Sequence, residues 1–330
     1  MIPFVDLKPS ITPIRTDIDA AMRRVVDRGV FLNGPEVEAF EAEWAAYCGA
    51  RYCVACASGT DALAIIAACA GQDAFSIQAN TCEFTKIGLH KELDDSHRTV
   101  EAIDCDNRGY ADANYNWNSI EDVGLAVPVE TLLYGRMTRC LSGGIVDACQ
   151  AHGWEHTDCS FAAWSFYPTK NLGCYGDGGA VTTNEYSGML RAIAAALPSR
   201  LSELNAAVLR TKLPHLDSWN AERLKLAEAY WNELPDWCDP VCRPGEPSNH
   251  HIFAILVDRR DELEQHLLSR EIGVKCHYRE PLANLPGAVR WCSRILSLPL
   301  WVGMTPEQVR TVCDTIKVFN ADNCIPRGAA

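Results

Sequence analysis

The sequence predicts an α/β fold with a large N-terminal domain and a small C-terminal α+β domain, and two observations lead to this prediction. In the first half, short apolar runs such as 52–57 alternate with segments of helical periodicity such as 36–48. Beyond a turn-rich stretch at 235–247, strands and helices follow each other again up to a C-terminal helix. We place the large domain at 1–212 and the small domain at 213–330.

The elements follow from periodicity and from their end signals. Pro35 suits the first turn of a helix, and Pro214 predicts a kink in one long helical stretch. Thr305 and Gln308 form a capping box, with Pro306 between them in the first turn. Helices are predicted at 15–30, 36–48, 62–70, 202–233, 260–270 and from 306 onwards. Strands are predicted at 52–57, 125–129, 144–146, 162–167, 179–183, 251–257 and 294–298.

Composition excludes several classes of function. The 330 residues include 30 basic and 43 acidic side chains, a net charge of −13, and no basic run, so neither a nucleic acid nor an anionic membrane is expected as the partner. No apolar stretch approaches the roughly 20 residues that span a bilayer. Residues 1–15 lack the features of a secretion signal. These observations lead us to expect a cytoplasmic protein.

Cysteine is frequent, at 16 residues, but the cysteines are scattered through a long chain. We therefore expect reduced thiols rather than a disulfide framework. Cys53 and Cys56 form a C-x-x-C pair, which could be redox-active or half of a zinc site. A buried strand explains the pair better, because no second C-x-x-C completes a set of four ligands. No metal is expected.

The first motif that carries chemistry is Ser58-Gly59-Thr60-Asp61, between a predicted strand and a predicted helix. The N–H groups that begin a helix are unpaired and favour an anion. Gly59 would let a phosphate approach the backbone closely, and the hydroxyls of Ser58 and Thr60 could donate to it. Taken alone, the motif is equally consistent with a simple helix cap.

The second motif runs from Asp147 to Gly153, just after a predicted strand. A carboxylate in this apolar setting needs a cationic partner, and a protonated pyridine nitrogen would provide one. Gln150 is placed to hydrogen-bond a ring hydroxyl. An Asp-based turn at the strand end remains the alternative.

The third motif is Ser165 to Gly173, followed by the glycine-rich run 176–179. Lys170 lies just beyond a predicted strand in a loop with few other charges. An amine in such a place can lose its proton and form a Schiff base. An ordinary exposed loop lysine is the alternative, and only the combination of all three motifs argues against it.

Together, these motifs resemble the DegT/StrS-type sugar aminotransferases, which are fold-type I enzymes that use pyridoxal 5′-phosphate (PLP). The resemblance covers nearly the whole chain in order, at 31–41, 58–63, 147–153, 165–179, 200–207 and 277–278. It implies a large domain with a mixed seven-stranded sheet, a small C-terminal domain, and a homodimer with shared active sites. The typical reaction moves an amino group from glutamate to a keto-sugar nucleotide or a related keto-cyclitol.

The resemblance also implies a role for each site residue. Lys170 would bind PLP and carry the proton, Asp147 would meet the pyridine nitrogen, and Gln150 would meet the ring hydroxyl. Gly59, Thr60 and Ser165 would bind the phosphate, and Asn33, His277 and Tyr278 would contact the substrate. A dehydratase branch of the family has histidine at the place of Lys170, so the lysine argues against that branch.

The chain departs from the family at several places. Cys82 follows Ala79-Asn80-Thr81, where relatives have an aromatic residue that stacks on the PLP ring; Phe84 is a possible substitute. Pro198 replaces an asparagine that reaches the neighbouring subunit's phosphate, and the segments 193–197 and 281–296 look short. Two other functions therefore stay open: PLP chemistry such as decarboxylation or elimination, and a non-catalytic PLP-binding sensor or partner subunit.

Overall fold

The computed structural model describes residues 1–91, 98–111, 126–137, 144–156, 159–185 and 188–322. Its helices are α1 (Lys8–Ile11), α2 (Arg15–Arg28), α3 (Pro35–Cys48), α4 (Gly59–Ala70), α5 (Glu83–His90), α6 (Gly188–Ala196), α7 (Glu203–Lys212), α8 (Leu216–Glu233), α9 (Arg260–Ser269), α10 (Pro286–Arg294) and α11 (Pro306–Asp322). Its strands are β1 (Tyr52–Cys56), β2 (Ala74–Gln78), β3 (Thr99–Ile103), β4 (Val127–Thr131), β5 (Ile145–Asp147), β6 (Phe161–Ser165), β7 (Gly179–Thr183), β8 (Asp239–Pro240), β9 (Phe253–Leu256) and β10 (Ile295–Leu298).

Seven strands form one mixed sheet in the order β1-β7-β6-β5-β4-β2-β3, which confirms the predicted α/β fold. Strands β3, β2, β4, β5 and β6 pair in parallel, whereas β7 is antiparallel to both β6 and β1. Strand β1 therefore runs in the same direction as β6. The carboxyl ends of β1, β5 and β6 consequently meet at one edge of the sheet, which is where ligands bind in α/β folds.

Two apolar layers pack on opposite faces of this sheet. Trp44, Trp164 and Phe166 are fully buried in the layer that α3 and α7 cover, and their rings meet edge to face. The other layer contains the buried face of α4, including Ile65 and Ile66. Because both faces are covered, the central strands are buried throughout, as expected for a sheet with helices on both sides.

A three-stranded sheet, β10-β9-β8, builds the small C-terminal unit with α8, α9 and α11. Ile2 also packs in its core, and the backbone of Ile2 pairs with Glu271 and Gly273. The N-terminal end of the chain thus contributes to the C-terminal unit. The boundary at 212/213, between α7 and the 3₁₀ turn before α8, stays a prediction.

Local chemistry explains how the elements differ from their predicted bounds. The kink at Pro214 is a one-turn 3₁₀ helix, Leu213–His215, between α7 and α8. Strand β9 begins at Phe253, not 251, because Asn249 Oδ1 accepts the His251 N–H in a turn and His250 is in the left-handed region. The predicted strand at 125–129 corresponds to β4, which begins at Val127. Residue 125 of the prediction lies outside the described ranges. The capping box of Thr305 and Gln308 is present.

Cys53 and Cys56 are buried in β1, as predicted, and burial raises the pKa of both thiols. None of the helices within the described ranges has the length and apolar composition needed to cross a bilayer.

Candidate active site

The three motifs meet at the carboxyl edge of the large sheet. A Cβ atom added to Gly59 would lie 2.7 Å from Cys149 Sγ and 2.8 Å from Ser165 Cβ. The α4 N-terminus, the turn after β5 and the end of β6 are thus within the reach of one methyl group. Any other residue at position 59 would fill the space between them. A site that was expected from three separate segments is therefore one site in the fold.

The N-terminus of α4 forms the anion-binding end of this site. Ser58 caps the helix through its hydroxyl, which accepts the N–H of Asp61 over 3.1 Å, so this side chain serves as a helix cap. Gly59 and Thr60 are the first helical residues, and helical geometry leaves their N–H groups without partners in the helix. With the glycine cradle beside Ser165, these donors fit a phosphate group.

Asp147 lies at the end of β5 and is 5% exposed. Its Oδ2 accepts the hydroxyl of Thr85 over 2.7 Å, and its Oδ1 accepts the N–H of Cys149 over 3.1 Å. No ion pair to this carboxylate occurs within the described part of the chain. A buried carboxylate without a cation is costly. Asp147 therefore fits a cationic partner such as a protonated pyridine nitrogen.

Gln150 is held at both ends of its amide. Its Oε1 accepts the N–H of Tyr134 over 2.6 Å, and its Nε2 donates to the hydroxyl of Tyr278 over 3.1 Å. The sequence pointed to Gln150 and, through the resemblance, to Tyr278, but not to their contact. Tyr278 is thus next to a predicted cofactor residue, as well as in the segment expected to meet the substrate.

Lys170 follows β6 in the loop before β7, and its N–H bonds to the carbonyl of Tyr167 over 2.8 Å. Its positive charge affects the pKa values of several groups around it. Burial, with the charge of Asp147, raises the pKa of Cys149, and Lys170 acts against this rise. Burial, with the charge of Lys170, lowers the pKa of His152 to about 3. Lys170 is therefore electrostatically close to the Asp147 motif, as a cofactor lysine would have to be.

Two further histidines stand near Lys170. Burial, with the charges of Lys275 and Lys170, lowers the pKa of His277 to about 4. Burial is also the main reason that the pKa of His251 is lowered. His251 Nδ1 contacts Asn171 Oδ1 over 3.0 Å, and His277 Nδ1 contacts Ser297 Oγ over 2.9 Å. These rings are neutral at neutral pH, so they add no permanent charge beside the lysine.

Asn33 is not brought to this site within the single chain. It is exposed, in the left-handed region at φ 53°, and lines a separate groove of about 660 Å³ with Arg51 and Arg200. Glu203 holds the neighbouring backbone by accepting the N–H groups of Gly34, Glu36 and Val37. The predicted contact of Asn33 with substrate stays a prediction.

Sequence reasoning missed Thr85, Tyr134 and Asn249. Thr85 follows Cys82 by three residues, so one helical turn brings it to Asp147. Asn249 donates to the carbonyls of Gln150 and His152 over 3.0 Å each, which fixes the turn after β5. Neither Thr85 nor Asn249 belongs to a recognisable motif. Cys82 does lie beside Tyr278, while Phe84 is 64% exposed on α5.

The profile of the DegT/DnrJ/EryC1/StrS aminotransferase family matches residues 13–75 and 144–317. The chain belongs to this family. It is thus a PLP-dependent aminotransferase by family, as the resemblance implied. The matched segments contain each predicted cofactor residue: Gly59, Thr60, Asp147, Gln150, Ser165 and Lys170. The unmatched stretch 76–143 contains Cys82, where the chain departs from the family pattern.

Individual relatives agree with this membership. The dTDP-3-amino-3,4,6-trideoxy-alpha-D-glucose transaminase of Streptomyces venezuelae is 33% identical, over 96% of this chain and 95% of that protein. The erythromycin biosynthesis sensory transduction protein EryC1 of Saccharopolyspora erythraea is also 33% identical, over 96% and 99%. The crystal structure of S. venezuelae DesV in complex with a ketimine intermediate matches with a TM-score of 0.87 and 31% identity, over 96% and 98%. The first alignment spans 365 positions, more than the 330 residues here, so that relative has segments without a counterpart.

Proposed function

We propose that this aminotransferase moves an amino group from an amino acid, with glutamate as the expected donor, to a keto-sugar nucleotide or a related keto-cyclitol. The observation that supports this most is the meeting of Gly59, Cys149 and Ser165 within the reach of one methyl group. It joins a phosphate cradle to the turn that contains Asp147 and Gln150. The name of the S. venezuelae transaminase, which is 33% identical, supports the class of acceptor.

Asp147 and Lys170 have different chemical roles in this proposal. When bound, PLP supplies a protonated pyridine ring that accepts electrons from the reacting carbon. The Asp147 carboxylate keeps the ring nitrogen protonated, and Thr85 holds that carboxylate in place from its other side. The Lys170 amine takes a proton from one carbon and returns it to another. Gly59, Thr60 and Ser165 anchor the phosphate, and Gln150 meets the ring hydroxyl.

The charge around the site supports anionic substrates. The protein carries a net charge of −13. By contrast, the described residues that line the cleft beside Thr169 and His277 include Lys275 and Arg223 but no acidic side chain. The pKa of Arg223 is lowered by burial to about 10, so the guanidinium is still charged at neutral pH. Cationic clefts attract carboxylates and phosphates, which are the charged groups of an amino acid donor and a nucleotide sugar.

We propose further that the enzyme acts as a homodimer. Asn33, a predicted substrate contact, lines a groove away from Lys170 in the single chain. A second copy could bring it to the other chain's site. Exposed apolar side chains next to it, Val30, Phe31 and Leu32, would be covered by such a partner. Light scattering tests this part, and a monomeric active enzyme would contradict it.

Trapping the lysine tests the central assignment. Borohydride reduction of the PLP-loaded protein, followed by peptide mapping, should place the pyridoxyl group on Lys170. Lys170→Ala should lose the yellow absorption and all turnover, whereas Lys317→Ala, an exposed lysine on α11, should behave as wild type. A label on Lys86 or Lys212 would refute the assignment. Conversion of glutamate to 2-oxoglutarate, with the cofactor left in its amine form, separates an aminotransferase from other PLP chemistry and from a sensor.

A further inference from the structure

The Gln150 amide has one orientation and, among the described residues, one donor hydrogen without a partner. The N–H of Tyr134 can only donate, so the amide atom it meets at 2.6 Å is the oxygen, Oε1. The amide nitrogen therefore faces Tyr278, where it donates to the hydroxyl over 3.1 Å. An NH₂ group has two hydrogens, so one N–H of Gln150 remains for another acceptor.

Tyr134 is itself held firmly. It has φ 64°, which is unusual for a residue with a side chain, and it is 1% exposed. Its hydroxyl donates to the carbonyl of His277 over 2.7 Å and accepts the indole N–H of Trp291 over 3.0 Å. Such a conformation persists only where the surroundings determine it, and it is frequent at functional sites. Two residues contact the Gln150 amide: Tyr134, which is hydrogen-bonded to His277, and Tyr278. Both contacts therefore depend on the segment 277–278.

Tyr278 presents a protonated hydroxyl to this amide. Burial is the main cause that raises the pKa of its phenol, and the nearby Cys82 thiol adds to it. The oxygen can accept from Gln150 while its own hydrogen points elsewhere. Cys82 stands where relatives have an aromatic ring, and its thiol lies within hydrogen-bonding reach of the tyrosine hydroxyl.

We propose that Tyr278 is a positioning residue that fixes the Gln150 amide so that its second N–H faces the ring oxygen of the cofactor. This rests on the proposed function and goes beyond the substrate contact that the family resemblance implies for Tyr278. A donated N–H stabilises the ring oxygen as an anion. Without the tyrosine hydroxyl, the amide can rotate away, and the ring oxygen then holds its proton up to a higher pH.

The test is a pH titration of the visible absorption band of PLP-loaded protein, which does not depend on turnover. Tyr278→Phe removes one oxygen atom and should shift the pH midpoint upward, by about threefold to tenfold in the ionisation constant, as expected for one hydrogen bond. Gln150→Leu should shift it at least as far. In the Gln150→Leu background, Tyr278→Phe should add nothing, because its effect passes through Gln150.

Tyr230→Phe is the matched control. It removes the buried hydroxyl that donates to Pro299 in the core of the small unit, so it should lower thermal stability without moving the midpoint. An unchanged midpoint in Tyr278→Phe, or full additivity with Gln150→Leu, would overturn the inference. If Tyr278→Phe does not fold, Tyr278→Leu replaces it, because it also removes the hydroxyl that accepts the Gln150 N–H, with the same expected shift and the same overturning result. A wild-type protein with no visible band at all would instead refute the proposed function, and this inference with it.

Discussion

The hydroxyl of Thr85 donates a hydrogen bond to Oδ2 of Asp147 over 2.7 Å, and both side chains are buried. This hydroxyl on α5 donates to one oxygen of the carboxylate, and the N–H of Cys149 donates to the other oxygen. Donors of this kind stabilise the ionised carboxylate in an apolar place. Thr85 therefore supports the charge that the proposed pyridine contact needs.

Removal of the Thr85 hydroxyl should weaken the enzyme without unfolding it. Thr85→Val keeps the shape of the side chain, so its effect should come from the lost hydrogen bond. A bond to a charged group contributes about 1.5–3 kcal/mol, so we expect cofactor affinity or turnover to fall by about tenfold or more. Thr311→Val is the control, since that hydroxyl donates to the Glu307 carbonyl on the exposed face of α11. Wild-type kinetics in Thr85→Val would show that the contact has no role in catalysis.

Asp147 itself should matter far more. Without the carboxylate, the pyridine nitrogen loses its proton and the ring accepts electrons poorly. Asp147→Ala should therefore reduce turnover by a few orders of magnitude, with the fold intact by circular dichroism, and Asp147→Glu should do less harm. Asp314→Ala, on the exposed face of α11, should be neutral. Near-normal activity of Asp147→Ala would mean that the residue only ends the strand.

The cofactor ring should be held weakly on the side of Cys82. An aromatic stack adds about 0.5–1.5 kcal/mol, and a phosphate hydrogen bond about 1.5–3 kcal/mol. Cys82 and Pro198 lack both, so PLP should bind about two orders of magnitude more weakly than in relatives. Cys82→Phe should tighten binding in a PLP titration, unless Phe84 already covers the ring.

Phe84→Ala tests whether Phe84 covers the cofactor ring. The side chain of Phe84 is largely exposed in the single chain. We expect little change in PLP affinity from this variant. Tight binding by wild type, unchanged in both variants, would show that other groups hold the ring.

Buried histidines should make the protein sensitive to acid. Burial lowers the pKa of His152 to about 3, and of His250 and His277 to about 4. Unfolded histidine titrates near 6.5. Below about pH 6.5, the unfolded chain therefore binds protons that the folded chain does not, and the free energy of unfolding falls as pH falls toward 4. Each such histidine contributes a slope of up to about 1.4 kcal/mol per pH unit.

Urea unfolding at a series of pH values measures this slope. His152→Phe keeps a ring between Trp44 and Phe166 and should flatten the dependence by about one proton between pH 6 and pH 4. Phe84→Ala, which removes an exposed ring that does not titrate, should leave the slope as in wild type. An identical slope in His152→Phe would show that this ring is protonated in the folded state.

The sequence by itself determined many of the elements and the cofactor motifs of this protein, but it did not predict β2, β3, α5, α6 or α10. Hydrophobic periodicity predicted β7 at its observed bounds, and cap residues such as Thr305 predicted where helices begin. Lys170, Asp147 and Gly59 stand in short motifs whose residue types match one chemistry. The inferences about elements succeed because they depend on neighbours along the chain, and such neighbours are visible without a fold. The roles of the three site residues stay predictions.

Only the tertiary structure decided which side chains meet. Gln150 and Tyr278 are 128 positions apart, and Thr85 and Asp147 are 62 apart. Their contacts depend on the order of the strands in the sheet and on how the small unit packs against it. The exposed position of Asn33 in the single chain depends on the same packing. Sequence periodicity has no information on such distances, because hydrogen bonds between remote segments form only after the chain has closed the loops between them.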